Sequence, residues 1–281
     1  MGNIYCRDLL AAIGKPPPWI VGVLNITPDS FSDGGLYVGA EAALSRAREL
    51  LADGADIIDI GGESTGPGAK PIASSVELER ILSVVSVLAK EAFVSIDTYK
   101  AATAKECLRA GARMINDVSA LRADSLMSRV ISESDAFVVL MHSKEDGARP
   151  HASESKCDYV DIIPAISAFL KWRIDFAISQ GISRARIVVD PGMGRFLSHD
   201  SKYSWELLRR LGELGVELKE FPLMVGTSRK GFLGKALGER EPISQLTGLI
   251  SFLKGASLIR THNVSMAREF FDVWKSLMPI S

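Results

Sequence analysis

The chain has 281 residues, 47% of them hydrophobic and 24% charged, with a formal net charge of -1 at pH 7. That is enough apolar material for one large α/β domain or two small ones, and the charge gives no electrostatic reason to bind nucleic acid. Three cysteines, Cys6, Cys107 and Cys157, are too far apart for a thiolate metal site or a disulfide framework and point to a reducing compartment, and no apolar run approaches the roughly 18 residues of a membrane span.

Residues 1–18 read as a lead-in, a short helix followed by a proline hinge, without the apolar core of a secretory signal. A strand, "WIVGVLN", follows and then breaks abruptly. Asn25, Thr27, Pro28, Asp29, Ser30, Ser32 and Asp33 crowd into a polar run closed by Gly34 and Gly35, far more than a turn requires. From there one unit repeats: a short apolar strand, a polar loop, an amphipathic helix. The later strands are "DIIDIG", "FVSID", "RMIND", "AFVVLMH", "RIVVD", "PLMVGTS" and "SLIRTH". The helices are expected at Ala40 to Ala52, Val76 to Lys90, Ala101 to Ala110, Asp124 to Glu133, Tyr159 to Gln180, Ser204 to Leu214, Ser244 to Lys254 and Ser265 to Leu277. Continuous apolar strands signal a parallel sheet covered on both faces, and Gly54, Gly111, Gly181, Gly215 and Gly255 stand where helices need a left-handed terminating residue. Eight such units in this length predict a single (β/α)8 TIM barrel over 1–281, with its active site at the C-terminal ends of the strands. A doubly wound sheet is the alternative, but no GxGxxG follows the first strand.

Nearly every strand ends on a functional side chain: Asn25, Asp59, Asp97, Asn116 with Asp117, His142, Asp190, Ser228 with Arg229 and Lys230, and Arg260 with His262. Any single Asp or Asn there is explained as a helix cap. Caps do not call for Lys, Arg and His as well. Carboxylates, amides and cations converging on one barrel mouth suit a polar heterocycle that carries an anionic group.

The ordered motifs "LNITPDSFSDGG", "DIGGEST" before "PG", "SIDTYKA", "INDVS", "LMH", "DPGMG", "GTSRKGF" and "IRTH" resemble the dihydropteroate synthase family from about Ile20 to Val264. The resemblance implies condensation of 6-hydroxymethyl-7,8-dihydropterin diphosphate with para-aminobenzoate, a transferase step of folate biosynthesis in which diphosphate leaves before the arylamine attacks. It implies pterin binding by Asp97, Asn116, Asp190, Lys230 and Met141. It assigns the diphosphate to Asn25, Thr65, Arg260 and His262, with Mg2+ at Asn25, and the aminobenzoate to Phe31, Thr65, Pro67, Arg195, Lys230 and Gly231. Of these, Asp97, Lys230, Asn25, Arg260 and His262 are the expected catalytic set. It also implies closing loops at Thr27 to Gly35 and Gly62 to Ser75, a cytoplasmic homodimer, and no membrane partner.

Three positions depart from the family pattern. Gly66 replaces an Arg before "PG". After "DPGMG" the chain reads Arg195, Phe196, Leu197, Ser198, with an Arg at an aromatic position and no Lys, which is similar to the sulfonamide-insensitive branch. Gly231 replaces a Ser after "SRK". Two alternatives remain open at this point: a catalytically weak pterin-binding paralogue, and a methyltetrahydrofolate-binding corrinoid methyltransferase domain.

Overall fold

The computed structural model describes residues 6–27, 35–64, 70–144, 158–234 and 236–278. Its strands are β1 (Trp19–Asn25), β2 (Ile57–Gly61), β3 (Val94–Asp97), β4 (Met114–Asp117), β5 (Phe137–Met141), β6 (Ile187–Asp190), β7 (Met224–Val225) and β8 (Leu258–Thr261). All seven neighbouring pairs in the order β6-β5-β4-β3-β2-β1-β8-β7 are parallel. The ends meet at a single bridge, Val189 to Leu223, supported by the Val189 amide donating to the Pro222 carbonyl at 3.0 Å. The barrel expectation holds and the doubly wound sheet does not.

The helices are α1 (Cys6–Ile13), α2 (Gly35–Ala52), α3 (Ser74–Leu88), α4 (Ala101–Arg109), α5 (Met127–Ser132), α6 (Ile162–Ser179), α7 (Ser201–Glu217), α8 (Glu241–Leu253) and α9 (Val264–Ser276). Asp161, Asp200 and Asn263 cap α6, α7 and α9 through side-chain oxygens that accept the amides of Ile163, Lys202 and Met266. The expected helix Asp124 to Glu133 shrinks to α5, because Asp124 turns its carboxylate to the Leu126 and Ala101 amides. Gly215 does not end a helix; it lies inside α7, which runs on to Glu217. The strand expected over "PLMVGTS" is reduced to β7. No helix among the described residues is long and apolar enough to cross a membrane.

Strand side chains alternate between two cores with the period of two that a barrel imposes. Ile20, Leu24, Ile58, Ile60, Ile96, Ile115, Val138, Leu140, Val189 and Ile259 point outward to the helices. Trp19, Val21, Ile57, Phe93, Met114, Phe137, Val139, Val188, Met224 and Leu258 fill the lower interior. The lead-in closes that lower end: Leu9, Ala12 and Ile13 of α1 pack into the interior cluster. Trp19 Nε1 donates back to the Lys15 carbonyl at 2.7 Å, and Arg113 reaches the Ala12 carbonyl at 3.2 Å. The same inward parity, carried upward along each strand, presents Asp59, Asp97, Asn116, Met141, Asp190 and Arg260 to the mouth.

Candidate active site

Asp97, Asn116, Val118, Met141, Asp190, Met193, Phe196, Gly226, Lys230 and Arg260 line one cavity at the C-terminal ends of the strands. Its floor is a polar network. Arg260 Nε donates to Asp59 Oδ2 at 2.7 Å and Arg260 Nη2 to Asp97 Oδ2 at 2.8 Å. Asn116 Nδ2 donates to the same Asp59 oxygen at 3.0 Å, which leaves the other Asp59 oxygen buried without a partner. On the far wall Asp190 Oδ1 accepts the Gly192 amide at 2.7 Å. Val118, Met141 and Phe196 form a small apolar cluster with Tyr99 at its edge, and Lys230 Nζ stands 4.6 Å above the Phe196 ring.

Burial sets the charge state. It pushes Asp97 up to about 7 against the pull of Arg260, and Asp190 up to about 6 against the Gly192 hydrogen bond. It brings the Lys230 ammonium down to about 8, assisted by Arg260. Opposed shifts of this kind in one cleft are typical of a functional site. Beside the cavity, Ser228 Oγ lies 3.0 Å from His262 Nδ1 and accepts the His262 amide at 3.2 Å. Burial, then Arg260, Arg229 and Lys230, push His262 down to about 3, so its ring is neutral.

Asp97, Asn116, Met141, Asp190, Lys230 and Arg260 are thus together in one cavity, as the sequence led us to expect. His262 borders it through Ser228. Asn25 ends β1 with an exposed side chain, its Oδ1 3.3 Å from where a Cβ on Gly61 would stand. Arg195 is exposed; its neighbour Phe196 supplies the aromatic wall instead. Gly231 is exposed too, with nothing within 4 Å of an added Cβ. Phe31, Thr65, Pro67 and Gly66, with residues 28–34 of the first expected loop and 65–69 of the second, lie outside the described residues. Sequence reasoning counted Asp59 among the side chains of the mouth but gave it no ligand, and it left Val118, Met193 and Phe196 out of the site. Strand parity was the available signal for Asp59: it is two residues above Ile57 and faces inward like Asp97.

The chain matches the family described as "Pterin binding enzyme" over residues 21–262. The chain belongs to that family. The dihydropteroate synthase of Bacillus subtilis (strain 168) is 36% identical over 257 residues, covering 89% of this chain and 85% of its own. The dihydropteroate synthase type-2 of Escherichia coli is 37% identical over 263 residues, 92% of this chain and 95% of its own. Xanthomonas albilineans dihydropteroate synthase, solved with 4-aminobenzoic acid, superposes with a TM-score of 0.84 at 34% identity, over 94% of both chains. The same enzyme in complex with 7,8-dihydropteroate gives 0.80 at 31% identity, over 94% of this chain and 95% of its own. Within the pterin-binding enzymes the chain groups with the dihydropteroate synthases and is a transferase.

Proposed function

We propose that this chain joins 6-hydroxymethyl-7,8-dihydropterin diphosphate to para-aminobenzoate, giving 7,8-dihydropteroate and diphosphate. The observation that carries this reading is the cavity itself: the buried Asp190 carboxylate, the partly buried Asp97 carboxylate and the Asn116 amide face a slot walled by Val118, Met141 and Phe196. A flat heterocycle edged with N–H donors matches that combination. In this reading Asp97 and Asp190 accept ring and amino N–H groups, Asn116 pairs with a ring nitrogen, and the apolar cluster holds the faces. Lys230 sits over the aromatic wall and meets the carbonyl and N5 side.

Arg260 and His262 lie on the side of the mouth where the diphosphate would leave. When the methylene C–O bond breaks, its electron pair goes to the diphosphate and the dihydropterin ring spreads the positive charge. The arylamine nitrogen then forms the C–N bond and loses a proton to solvent. Positive and N–H groups at the diphosphate lower that barrier because the charge develops there. If Ser228 Oγ accepts the His262 amide and donates to Nδ1, Nε2–H is left as a neutral donor.

Magnesium fits one feature of the mouth. Among the described residues no group of three or more His, Cys, Asp or Glu forms a metal cage. An ion held chiefly by phosphate oxygens needs only one or two protein donors, and the open Asn25 amide oxygen is a hard donor of that kind. Bound there, it would supply neutralisation of the leaving group.

We also propose a cytoplasmic homodimer. Leu246 and Leu253 of α8, Val273 of α9 and Leu277 just after it are apolar and exposed, as one face of a symmetric pair would be; light scattering of the purified protein tests the dimer. The activity is tested by incubating purified protein with both substrates and measuring dihydropteroate and diphosphate. Release of both in equal amounts supports the reading. Tight pterin binding without product would reduce the chain to a pterin-binding protein.

A further inference from the structure

Among the described residues, three other than glycine adopt left-handed backbone: Ala120 (φ 51°), Leu121 (φ 64°) and Arg229 (φ 60°). Two are consecutive, and they sit in the loop after β4, directly beyond Asn116 and Val118. Such a conformation persists only where surrounding groups enforce it.

Here the enforcement is complete. All four backbone polar groups of the pair are engaged. The Ala120 amide donates to the Asp117 carbonyl at 3.0 Å, and the Leu121 amide to Asp117 Oδ2 at 2.8 Å. The Ala120 carbonyl accepts Arg173 Nε at 2.8 Å, and the Leu121 carbonyl accepts Arg173 Nη2 at 3.4 Å. Asp117 Oδ1 also takes the Ser119 amide at 2.8 Å and its hydroxyl at 2.6 Å. Both ends of this clamp are inside the protein: Asp117 is fully buried and Arg173 is 4% exposed. The Arg173 guanidinium is flanked by the rings of Trp172 and Phe176 at 4.7 and 4.2 Å.

Arg173 belongs to α6, in the outer helical layer, and does not line the cavity. A buried arginine costs desolvation, and a helix–sheet contact is served as well by leucine. What this guanidinium does that leucine cannot is fix two successive strained carbonyls. The chain between the clamp and the cavity is short: Asn116 and Val118 line the slot, and Asp117, the residue between them, is the opposing half of the clamp. We infer that Arg173 is a positioning residue for pterin binding, holding the strained loop so that Asn116 and Val118 keep their places in the cavity wall. The inference rests on the pterin reading of that cavity.

The test is calorimetric binding of 6-hydroxymethylpterin well below each variant's unfolding midpoint, so that global stability does not enter the affinity. Arg173→Gln is expected to raise Kd about tenfold, within the range for residues that act on a site without touching its ligand. Arg173→Lys keeps the charge but offers no planar fork, and should show a smaller loss in the same direction. Ala120→Gly removes the steric penalty at φ 51°, so the pair Arg173→Gln with Ala120→Gly should recover part of the affinity. A purely packing role for Arg173 would lower the midpoint and leave Kd alone, and that result overturns the inference. So does a double variant no better than Arg173→Gln. Should Arg173→Gln fail to fold, wild-type affinity in Arg173→Lys overturns it equally. Failure of the wild-type protein to bind the pterin is a different outcome, and removes the cavity reading together with the inference.

Discussion

Arg260 Nη2 lies 2.8 Å from Asp97 Oδ2, so the cation assigned to the leaving group is also the partner of the carboxylate assigned to the ring. On that assignment the two halves of the substrate would be coupled through one ion pair, with Asp59 as its third member at 2.7 Å.

Removing Asp97 tests the ring side. Asp97→Asn replaces a charged acceptor with an amide, and charge-assisted contacts are worth about 1.5–3 kcal/mol, roughly 10- to 100-fold in affinity. Removing Arg260 tests the coupling. Arg260→Met leaves the buried Asp59 and the partly buried Asp97 without their cation, a change that costs about 3–5 kcal/mol of stability. It should weaken bare hydroxymethylpterin as well as the diphosphate ester. Calorimetry with both ligands decides: loss confined to the diphosphate ester would show that the ion pair does not organise Asp97.

The pH dependence follows from burial. Asp97 and Asp190 sit near 7 and 6, above the ordinary value of about 3.9. As pH falls through this range both gain protons and lose acceptor capacity for ring N–H groups. Pterin affinity should then fall by up to about tenfold per pH unit for each proton that must be released. The ligand-free protein should respond in the opposite sense. Between pH about 4 and 7 the native state holds protons that the unfolded chain has given up, so these two groups make stability decline as pH rises, by about 1.4 kcal/mol per unit per proton. Binding and denaturation profiles that slope the same way would contradict the assignment.

His262 should act as a donor and not as a cation, because its ring is held neutral. His262→Gln keeps a neutral N–H donor and should stay within about threefold of wild type for diphosphate binding. His262→Ala should lose about 1 kcal/mol or more, the worth of one hydrogen bond. Equal losses in the two variants would point to a charged imidazole.

Two glycines at the mouth should behave very differently. A Cβ on Gly192 would stand 2.4 Å from the His142 carbonyl oxygen, at φ +69°. Gly192→Ala is therefore expected to cost more than about 3 kcal/mol in chemical denaturation. An added Cβ on Gly231 meets nothing within 4 Å, so Gly231→Ser should fold like the parent. A change in the Michaelis constant for aminobenzoate, with the one for pterin unaltered, is the effect expected of a restored hydroxyl.

The barrel was legible in the sequence because its units repeat and its strands are continuous apolar runs. The mouth was legible in part because polar side chains interrupt those runs. What blurred the reading was treating each strand end as a cluster when adjacent residues face opposite ways. Asp117 and His142 stand one position from Asn116 and Met141 and turn away from the cavity: Asp117 bonds its own loop, and the His142 ring packs on Phe169 at 4.9 Å. Asp59 has the correct parity and was counted at the mouth, but no ligand was assigned to it. Phe196 was hidden for a different reason. The short helical turn Gly194–Phe196 exposes Arg195 and buries the residue after it, and no periodicity in sequence announces such a turn. Arg173 had no signal at all, since its partners are main-chain carbonyls 53 and 52 positions away.

The barrel's closure has a mechanical consequence. Seven of its seams are ladders, but the eighth, between β6 and β7, is one bridge at Val189 and Leu223. Asp190 flanks that seam on one side and the segment leading to Lys230 on the other, so the most sparsely bonded seam of the wall runs between two side chains that face the cavity. A guest that touches both Asp190 and Lys230 would span the seam, adding contacts across it where the backbone itself supplies one bridge.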